Sequence, residues 1–340
     1  MARGMRGGMN APTVDVNLFV RNGAATIGAA IESVLAQTWP ALTLTVIDNA
    51  STDATVAIVQ RYMAEVPRIR LLRRHVDAGL AANCARAFAE GEADFVMPKT
   101  ADDLLAPDFV AQVMAVMLEH PGCAMCHAGG AVFTGTGQLR HLYPETHCLH
   151  AIGTDPPARA QHVMARYTSA PSFWGIFRRR ATERLARFRL MAGWDHAVLA
   201  ELALHGEIRH VPAPLYLRRD GGKPVPQIAR AATEAAQHGL PHDDPLADLS
   251  WMTPLITTVH AHLEIFAVAR APLAMRQALM AATPRIFRAR WGPGMQAEAA
   301  AFAAALPQLR AVPGGWRQRQ IAAVQAAIAA VLAEADAAVA

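Results

Sequence analysis

Between residues 14 and 110 the sequence switches hydrophobic period repeatedly, from the alternation of a strand to the 3.6-residue repeat of a helix and back. Residues 14–20 alternate before turning apolar and read as a first strand, closed by the turn pair Asn22-Gly23. Ile27, Ile31, Val34 and Leu35 then keep helical spacing up to Thr38-Trp39-Pro40. A second strand, 42–47, stops at Asp48-Asn49, and the polar run 51–55 opens a helix carrying Val56, Ile58, Val59 and Tyr62. Residues 69–72 form a third strand, and Asp77-Ala78-Gly79 turns into a helix over about 80–89. A fourth apolar run, Phe95-Val96-Met97, leads into Thr100-Ala101-Asp102-Asp103 and then a helix after Pro107. Such alternation predicts an α/β chain: a mostly parallel sheet covered by helices on both faces.

The strand ends carry the chemistry. Ligands of open α/β sheets sit at the C-terminal strand edge, and strands one, two and four there end in Asn22, Asp48 and Asp102. Two adjacent carboxylates, Asp102 and Asp103, suit a divalent cation held against a diphosphate, although an Asp before a helix also serves as a cap. Asp48-Asn49 is open to an Asx turn in the same way. No G-x-G-x-x-G occurs, which argues against a dinucleotide fold of the usual kind.

Five elements in order resemble glycosyltransferase family 2, the inverting transferases of GT-A fold. They are Arg21-Asn22 at the first strand end; Ser33-Val34-Leu35-Ala36-Gln37-Thr38-Trp39-Pro40; Asp48-Asn49-Ala50-Ser51-Thr52-Asp53; Gly79 with Asn83 and Arg86; and Thr100-Ala101-Asp102-Asp103-Leu104-Leu105-Ala106-Pro107. The last departs from the family's D-x-D-D pattern, since Thr100 stands where the first acid would be, as in a bacterial subgroup with a shortened motif. The resemblance continues through Phe173-Trp174-Gly175-Ile176-Phe177-Arg178-Arg179, Gly193-Trp194-Asp195 with the helix behind it, and residues 211–219, covering about 12–222.

The resemblance implies transfer of a sugar from a nucleoside-diphosphate sugar to an acceptor hydroxyl with inversion, in bacterial polysaccharide or glycoconjugate synthesis. By it, Asp48 grips base and ribose, and Asp102 and Asp103 hold Mg²⁺ or Mn²⁺. Asn22, Asn83, Arg86, Arg218 and Arg219 contact the nucleotide, and Asp195 is the general base. Other readings stay open beside these: Asp195 as a helix cap, Arg218 and Arg219 pairing with Asp220, and Trp174 as a core residue rather than a platform for an acceptor sugar. Glu201 and Arg178-Arg179-Arg180 are expected on solvated helix surfaces. Thr100 also motivates an alternative: a degenerate GT-A protein that binds a nucleotide sugar or glycan without turnover.

The expected organisation is a disordered 1–11, a nucleotide-sugar-binding half at 12–120, an acceptor-binding half at 121–222 and a helical extension at 223–340. Within the extension, Gly221-Gly222-Lys223-Pro224 and residues 241–245 read as linker and turn. Ile321, Val324, Ile328, Val331 and Leu332 form an apolar stripe, expected to pack on the catalytic domain or on a second copy as a homodimer. Residues 283–291 mix arginine with aromatics as membrane-surface segments do, so peripheral contact with the inner face of a membrane stays open. A hydrophobic content of 53% is ample for a core, and a net charge of +4 with no basic block excludes a nucleic-acid footprint. With no apolar leader in the first twelve residues, the expectation is a cytoplasmic protein. Cys123-Ala124-Met125-Cys126-His127 matches a haem or half-zinc spacing, but reads better as a strand.

Overall fold

The computed structural model describes residues 11–168, 172–186, 192–220, 249–311 and 315–332. Of the N-terminus expected to be disordered over 1–11, residues 1–10 lie outside the described residues, as do the 221–224 and 241–245 turns. One nine-stranded sheet organises the chain. In spatial order its strands are β3 (Ile69–Arg74), β2 (Leu42–Asn49), β1 (Val14–Val20), β4 (Phe95–Thr100), β8 (Gly175–Arg178), β6 (Cys123–Phe133), β9 (Glu207–Arg219) and β5 (Leu104–Leu105), with β7 (Leu139–Leu142) paired to β6. The pairs β3–β2, β2–β1, β1–β4 and β6–β9 are parallel; β8 lies antiparallel between β4 and β6. The first four strands therefore present all their C-terminal ends to one edge.

Period-two alternation divides the core into two layers. Leu18, Val46, Met97 and Ile176 meet α1 (Ile27–Leu35), α2 (Thr55–Glu65) and α4 (Phe109–Glu119). Phe19, Ile47, Val96 and Phe177 point the other way. There they meet α3 (Gly79–Ala89), α5 (Pro156–Arg166) and α7 (Trp194–His205), together with the helices of the extension. Those are α8 (Pro254–Val268), α9 (Leu273–Ala311) and α10 (Gly315–Leu332); between β8 and α7 lies the short α6 (Arg179–Thr182). Helix α9 stays helical across Pro284, Pro293 and Pro307. Each proline removes a ladder hydrogen bond, and burial of Leu279, Phe287, Met295 and Phe302 holds the helix in place.

Of the partners expected for the extension, the structure supplies the catalytic body: Ile321, Val324 and Val331 are buried in the same continuous core as α5 and α7. In the 283–291 segment, Thr283 and Phe287 are fully buried, so its phenylalanine packs into the core. Two surface expectations are corrected. Glu201 is fully buried, its carboxylate accepting the Ala186 N–H at 2.9 Å. Arg178 and Arg179 turn inward: Arg178 donates to the carbonyls of Cys123 and Met117, and Arg179 pairs with Asp15 at 2.8 Å. That last contact also explains why β1 is buried throughout despite its polar members. Asp15 is held by Arg179 and Thr43, and Asn17 donates to the carbonyls of Ala87 and Glu90. Residues 123–127 do form strand, and all four cysteines are free thiols.

Candidate functional site

At the C-terminal edge of the parallel strands lies a cavity of about 540 Å³, on the α3 side of the sheet. Asn22 shapes its mouth. It adopts a left-handed backbone (φ 51°), which Asn tolerates better than most residues. Its N–H donates to Ser51 Oγ at 2.8 Å and its Oδ1 accepts from Thr52 N at 2.8 Å. Gly23 N and Ala24 N donate to Thr55 Oγ1 and Asp53 Oδ2. These bonds brace the loop after β1 against the loop after β2. Asn49, Asn83, Thr100 and Asp102 line the same cavity. Asn83 is buried; its amide donates to the carbonyls of Val20 and Ile47 at 3.3 Å, while its Oδ1 meets no partner among the described residues. A buried, unpartnered acceptor facing a cavity is what a ligand N–H would satisfy.

Asp48 lies beneath this cavity rather than on its wall. Alternation sends it to the α1–α2 side, where it accepts from Ser51 N at 3.3 Å and pairs with Arg73 at 3.5 Å. The cavity residue of that strand end is Asn49, which the sequence reading missed. The usable signal was that Asn49 shares the parity of Ile47, and hence the α3 face. Arg86 is not brought to the cavity; it is half-exposed and pairs with Glu90 along its own helix at 2.7 Å.

The two carboxylates of the acidic turn part company. Asp102 is exposed on the cavity wall. Asp103 is buried and committed: Oδ1 accepts from Arg219 N at 2.9 Å, and Oδ2 accepts from Tyr216 OH and Thr100 Oγ1. Burial, and then the neighbouring Asp102 charge, push the Asp103 carboxyl up. Beneath them Lys99 is buried, donating to the carbonyls of Thr100 and Asp103, and burial brings its ammonium down to about 8. Asp103 thus ties the turn to β9, with both its oxygens engaged in hydrogen bonds. Among the described residues no group of three or more His, Cys, Asp or Glu could hold a metal ion. Asp102 alone fits a hard cation that takes its remaining oxygens from water and phosphate, the usual habit of Mg²⁺. On the rim, Arg219 Nε donates to Asp102 O at 3.1 Å and its guanidinium lies 4.8 Å over the Phe133 ring; Arg218 donates to Tyr143 OH. Asp220 pairs with Arg140 rather than with either of them.

Asp195 lines a second cavity of about 320 Å³ on the same side of the sheet. Its Oδ2 accepts from Tyr167 OH at 2.7 Å, and burial raises its pKa. Gly193, one turn-defining residue before α7, has φ +78°, and a Cβ there would stand 1.9 Å from Thr258 Oγ1. The extension therefore packs directly on the segment that presents Asp195. It also supplies Leu255, Thr258, Arg290 and Trp291 as cavity wall. Arg290 is locked by donation to the carbonyls of Met164 and Tyr167 and lies 4.5 Å over the Trp291 ring. An aromatic row links the cavities: Phe19 of the first lies 6.1 Å from Trp174, which meets Phe173, which meets Trp194 beside Asp195. Trp174 is thus half-buried in this row.

The sequence model of Glycosyl transferase family 2 matches residues 16–185. An Escherichia coli (strain K12) protein described as an uncharacterized glycosyltransferase, YibD, is 29% identical over 170 residues, which is 49% of this chain and 48% of that one. Chondroitin synthase of Escherichia coli is 34% identical over 104 residues, 29% of this chain and 14% of its own length. The chain thus spans about half the length of YibD and a small part of the synthase. Among solved structures, S. aureus TarS residues 1–349 in complex with UDP-GlcNAc matches with a TM-score of 0.59 at 14% identity, covering 94% of this chain and 81% of that one. That likeness establishes a shared fold.

Proposed function

The chain belongs to glycosyl transferase family 2, and on that premise we propose that this glycosyltransferase moves a sugar from a nucleoside-diphosphate donor in the first cavity to an acceptor hydroxyl in the second, with inversion. The observation that carries this reading is the pairing of unlike cavities on one face: an exposed carboxylate, Asp102, in one and a buried, Tyr167-held carboxylate, Asp195, in the other. Asn22, Asn49 and Asn83 offer neutral donors and acceptors to base and ribose, with Asp48 bracing the loop below. Arg218 and Arg219 stand on the rim, where guanidinium forks suit a diphosphate. Arg86 is left outside this set by its pairing with Glu90.

A divalent cation, Mg²⁺ or Mn²⁺, bound at Asp102 would offset charge on the departing diphosphate. Asp103 serves that carboxylate indirectly, by fixing the turn. Asp195 accepts the proton of the acceptor hydroxyl as its oxygen bonds to the anomeric carbon and the bond from that carbon to the diphosphate oxygen breaks. A burial-raised pKa makes Asp195 a stronger base for this proton than an exposed carboxylate. Trp291 gives the acceptor sugar an apolar face to lie on. Chondroitin synthase makes polysaccharide or glycoconjugate assembly the acceptor class to try first, and the TarS complex puts UDP-sugars first among donors. No described helix is long and apolar enough to cross a membrane.

The test is a thermal-shift panel of UDP-, GDP- and dTDP-sugars, each with and without Mn²⁺, on the wild type and Asp102→Ala. Ligand binding to the folded state raises the melting temperature by mass action. One nucleotide giving a Mn²⁺-dependent shift that is lost in the variant supports the reading. A shift indifferent to both metal and variant keeps the donor cavity and removes the cation; no shift at millimolar ligand sinks the donor assignment.

A further inference from the structure

A third cavity, of about 230 Å³, lies at the opposite edge of the sheet from the donor cavity, where β4 and β6 begin and β8 ends. The six residues of β4 put about 20 Å of strand between the two edges. Its charged lining is wholly basic: Arg178, Arg180, Arg184 and His205. Among the described residues no carboxylate lines it, and neither Arg180 nor Arg184 has an ion-pair partner.

The cavity is built rather than merely open. Arg178 is fixed by its bonds to Cys123 O and Met117 O, and Arg180 Nη2 donates to Pro121 O at 3.0 Å. The floor is the close passage of Gly206 beneath Gly122, where a Cβ on Gly206 would stand 2.6 Å from Gly122 O. His205 Nε2 is buried and meets no hydrogen-bond partner among the described residues. The charged groups facing His205 are Arg184, Arg270 and Arg159, all of one sign. Carboxylates stand behind this cluster, Asp94 beside Arg178 and Glu207 and Asp155 beside Arg159, but none lines the cavity. A lining of guanidiniums around a buried, unpartnered imidazole nitrogen has a simple complement, an anion with several acceptor oxygens. The C-terminal end of α7 opposes this with roughly half a negative charge, which three full positive charges outweigh.

We propose that this cavity is a binding site for a phosphate group, separate from the donor site, held by Arg180 and Arg184 over a base formed by Arg178 and His205. Helix α7 joins this cavity to the Asp195 cavity, with Asp195 in its first turn and His205 in its last. The phosphate comes either free in solution or as the headgroup of a lipid, and the two sources are separable.

The full chain is titrated calorimetrically with sodium phosphate. In parallel it is floated with vesicles of phosphatidylcholine alone or mixed with phosphatidylglycerol, at about 0.15 M salt, where surface charges are screened beyond ~8 Å. Both measurements are repeated on Arg180→Ala/Arg184→Ala, on Arg184→Glu, and on the charge-matched pair Arg61→Ala/Arg68→Ala at a remote exposed surface. Loss of both charge-assisted contacts in the first variant, and of one with an added repulsive carboxylate in the second, should weaken binding about tenfold or more, with the third variant unchanged. Saturable binding of phosphate with that pattern identifies a free-anion site; binding of the phosphatidylglycerol vesicles alone, with the same pattern, identifies a lipid headgroup. Absence of binding to either probe overturns the proposal. So does binding that survives the cavity variants, as phosphate lodged in the donor cavity would, or binding that falls equally in the charge-matched pair.

Discussion

The donor cavity and the Asp195 cavity open on one face of one sheet, yet they are built on different electrostatic terms. The first keeps its carboxylate in water and surrounds it with neutral amides and rim arginines, an arrangement for gripping a charged ligand that brings its own counterions. The second buries its carboxylate among aromatics and gives it one phenol partner, an arrangement for moving a proton. They also differ in origin along the chain. The lining of the donor cavity lies within the family-matched residues 16–185, with Arg218 and Arg219 approaching its rim from beyond them, whereas Asp195 and the wall formed by Thr258, Arg290 and Trp291 lie outside that segment. The division teaches that two unlike cavities on one face of a core can be assembled from separate stretches of chain, one inside the family-matched segment and one largely outside it.

The sharpest way to break this comparison is to exchange the effects of its two carboxylates. Asp195→Asn keeps the shape and the contact with Tyr167 but removes the base. Turnover should fall by about 10²–10⁴-fold, the usual span for a positioned general base, while the donor-induced thermal shift stays. Asp102→Ala should do the reverse at the binding step, abolishing the Mn²⁺-dependent shift. A variant of Asp195 that loses donor binding as completely as turnover would collapse the two cavities into one function.

Next in size is the seam between catalytic body and extension. Gly193→Ala combines a left-handed backbone, disfavoured for alanine, with a Cβ driven into Thr258. Together these should cost roughly 3–5 kcal/mol in a denaturant melt. Thr258→Ala in the same chain should recover part of the loss, because it removes the struck Oγ1 and Cγ2 but leaves the Thr258 Cβ, 2.5 Å from the added methyl, and the backbone strain. An undiminished melting midpoint would mean that the extension does not set the Asp195 segment.

Legibility in the sequence follows the same line. The sheet, its parallel pairs and the donor edge were readable because period and strand-end polarity are local. Asn22 and Asp102 were found that way and Asn83 through the family resemblance, and the structure brings all three to one cavity. Parity alone separated Asn49 from Asp48, and one more step of the same argument would have exposed it. What stayed hidden was long-range. Nothing near Asp103 announces that Tyr216 and Arg219, over a hundred residues on, consume its oxygens. Nor does the sequence around Glu201 or Arg179 reveal that Ala186 N and Asp15 wait inside the core. A polar residue on a helix reads as solvated until its buried partner is known.

Glu201 sharpens the comparison from within α7, since it shares a raised pKa with Asp195 but lines neither cavity. Burial lifts its carboxyl to about 7 from an ordinary 4.5. The folded protein then holds this proton more tightly than the unfolded chain does, so stability falls as pH rises from about 4.5 to about 7 and the penalty is complete above that. Glu201→Gln stays neutral and can still accept the Ala186 N–H. It should match the wild type below pH 4.5 and exceed it at pH 8 by on the order of 3 kcal/mol, with turnover at pH 7 unchanged. A gain of that kind accompanied by lost turnover would make Glu201 part of the site and would show that a raised pKa was the better guide than a cavity wall.

The smallest expected effect tests the residue that resemblance assigned to the nucleotide and geometry did not. Arg86 is half-exposed, and its partner Glu90 is an i,i+4 neighbour on the same helix. Pairs of that kind contribute about 0.3–0.5 kcal/mol, so Arg86→Ala should lower stability by no more than that and leave the donor-induced thermal shift intact. Asn83→Ala, by contrast, removes two bonds that join β1 to β2 together with the only buried acceptor left open on the cavity among the described residues. It should weaken donor binding well beyond any loss of stability. If Arg86→Ala instead weakens the donor as Asn83→Ala does, the guanidinium must swing from Glu90 to the nucleotide on binding, and the donor cavity is assembled by its ligand rather than preformed.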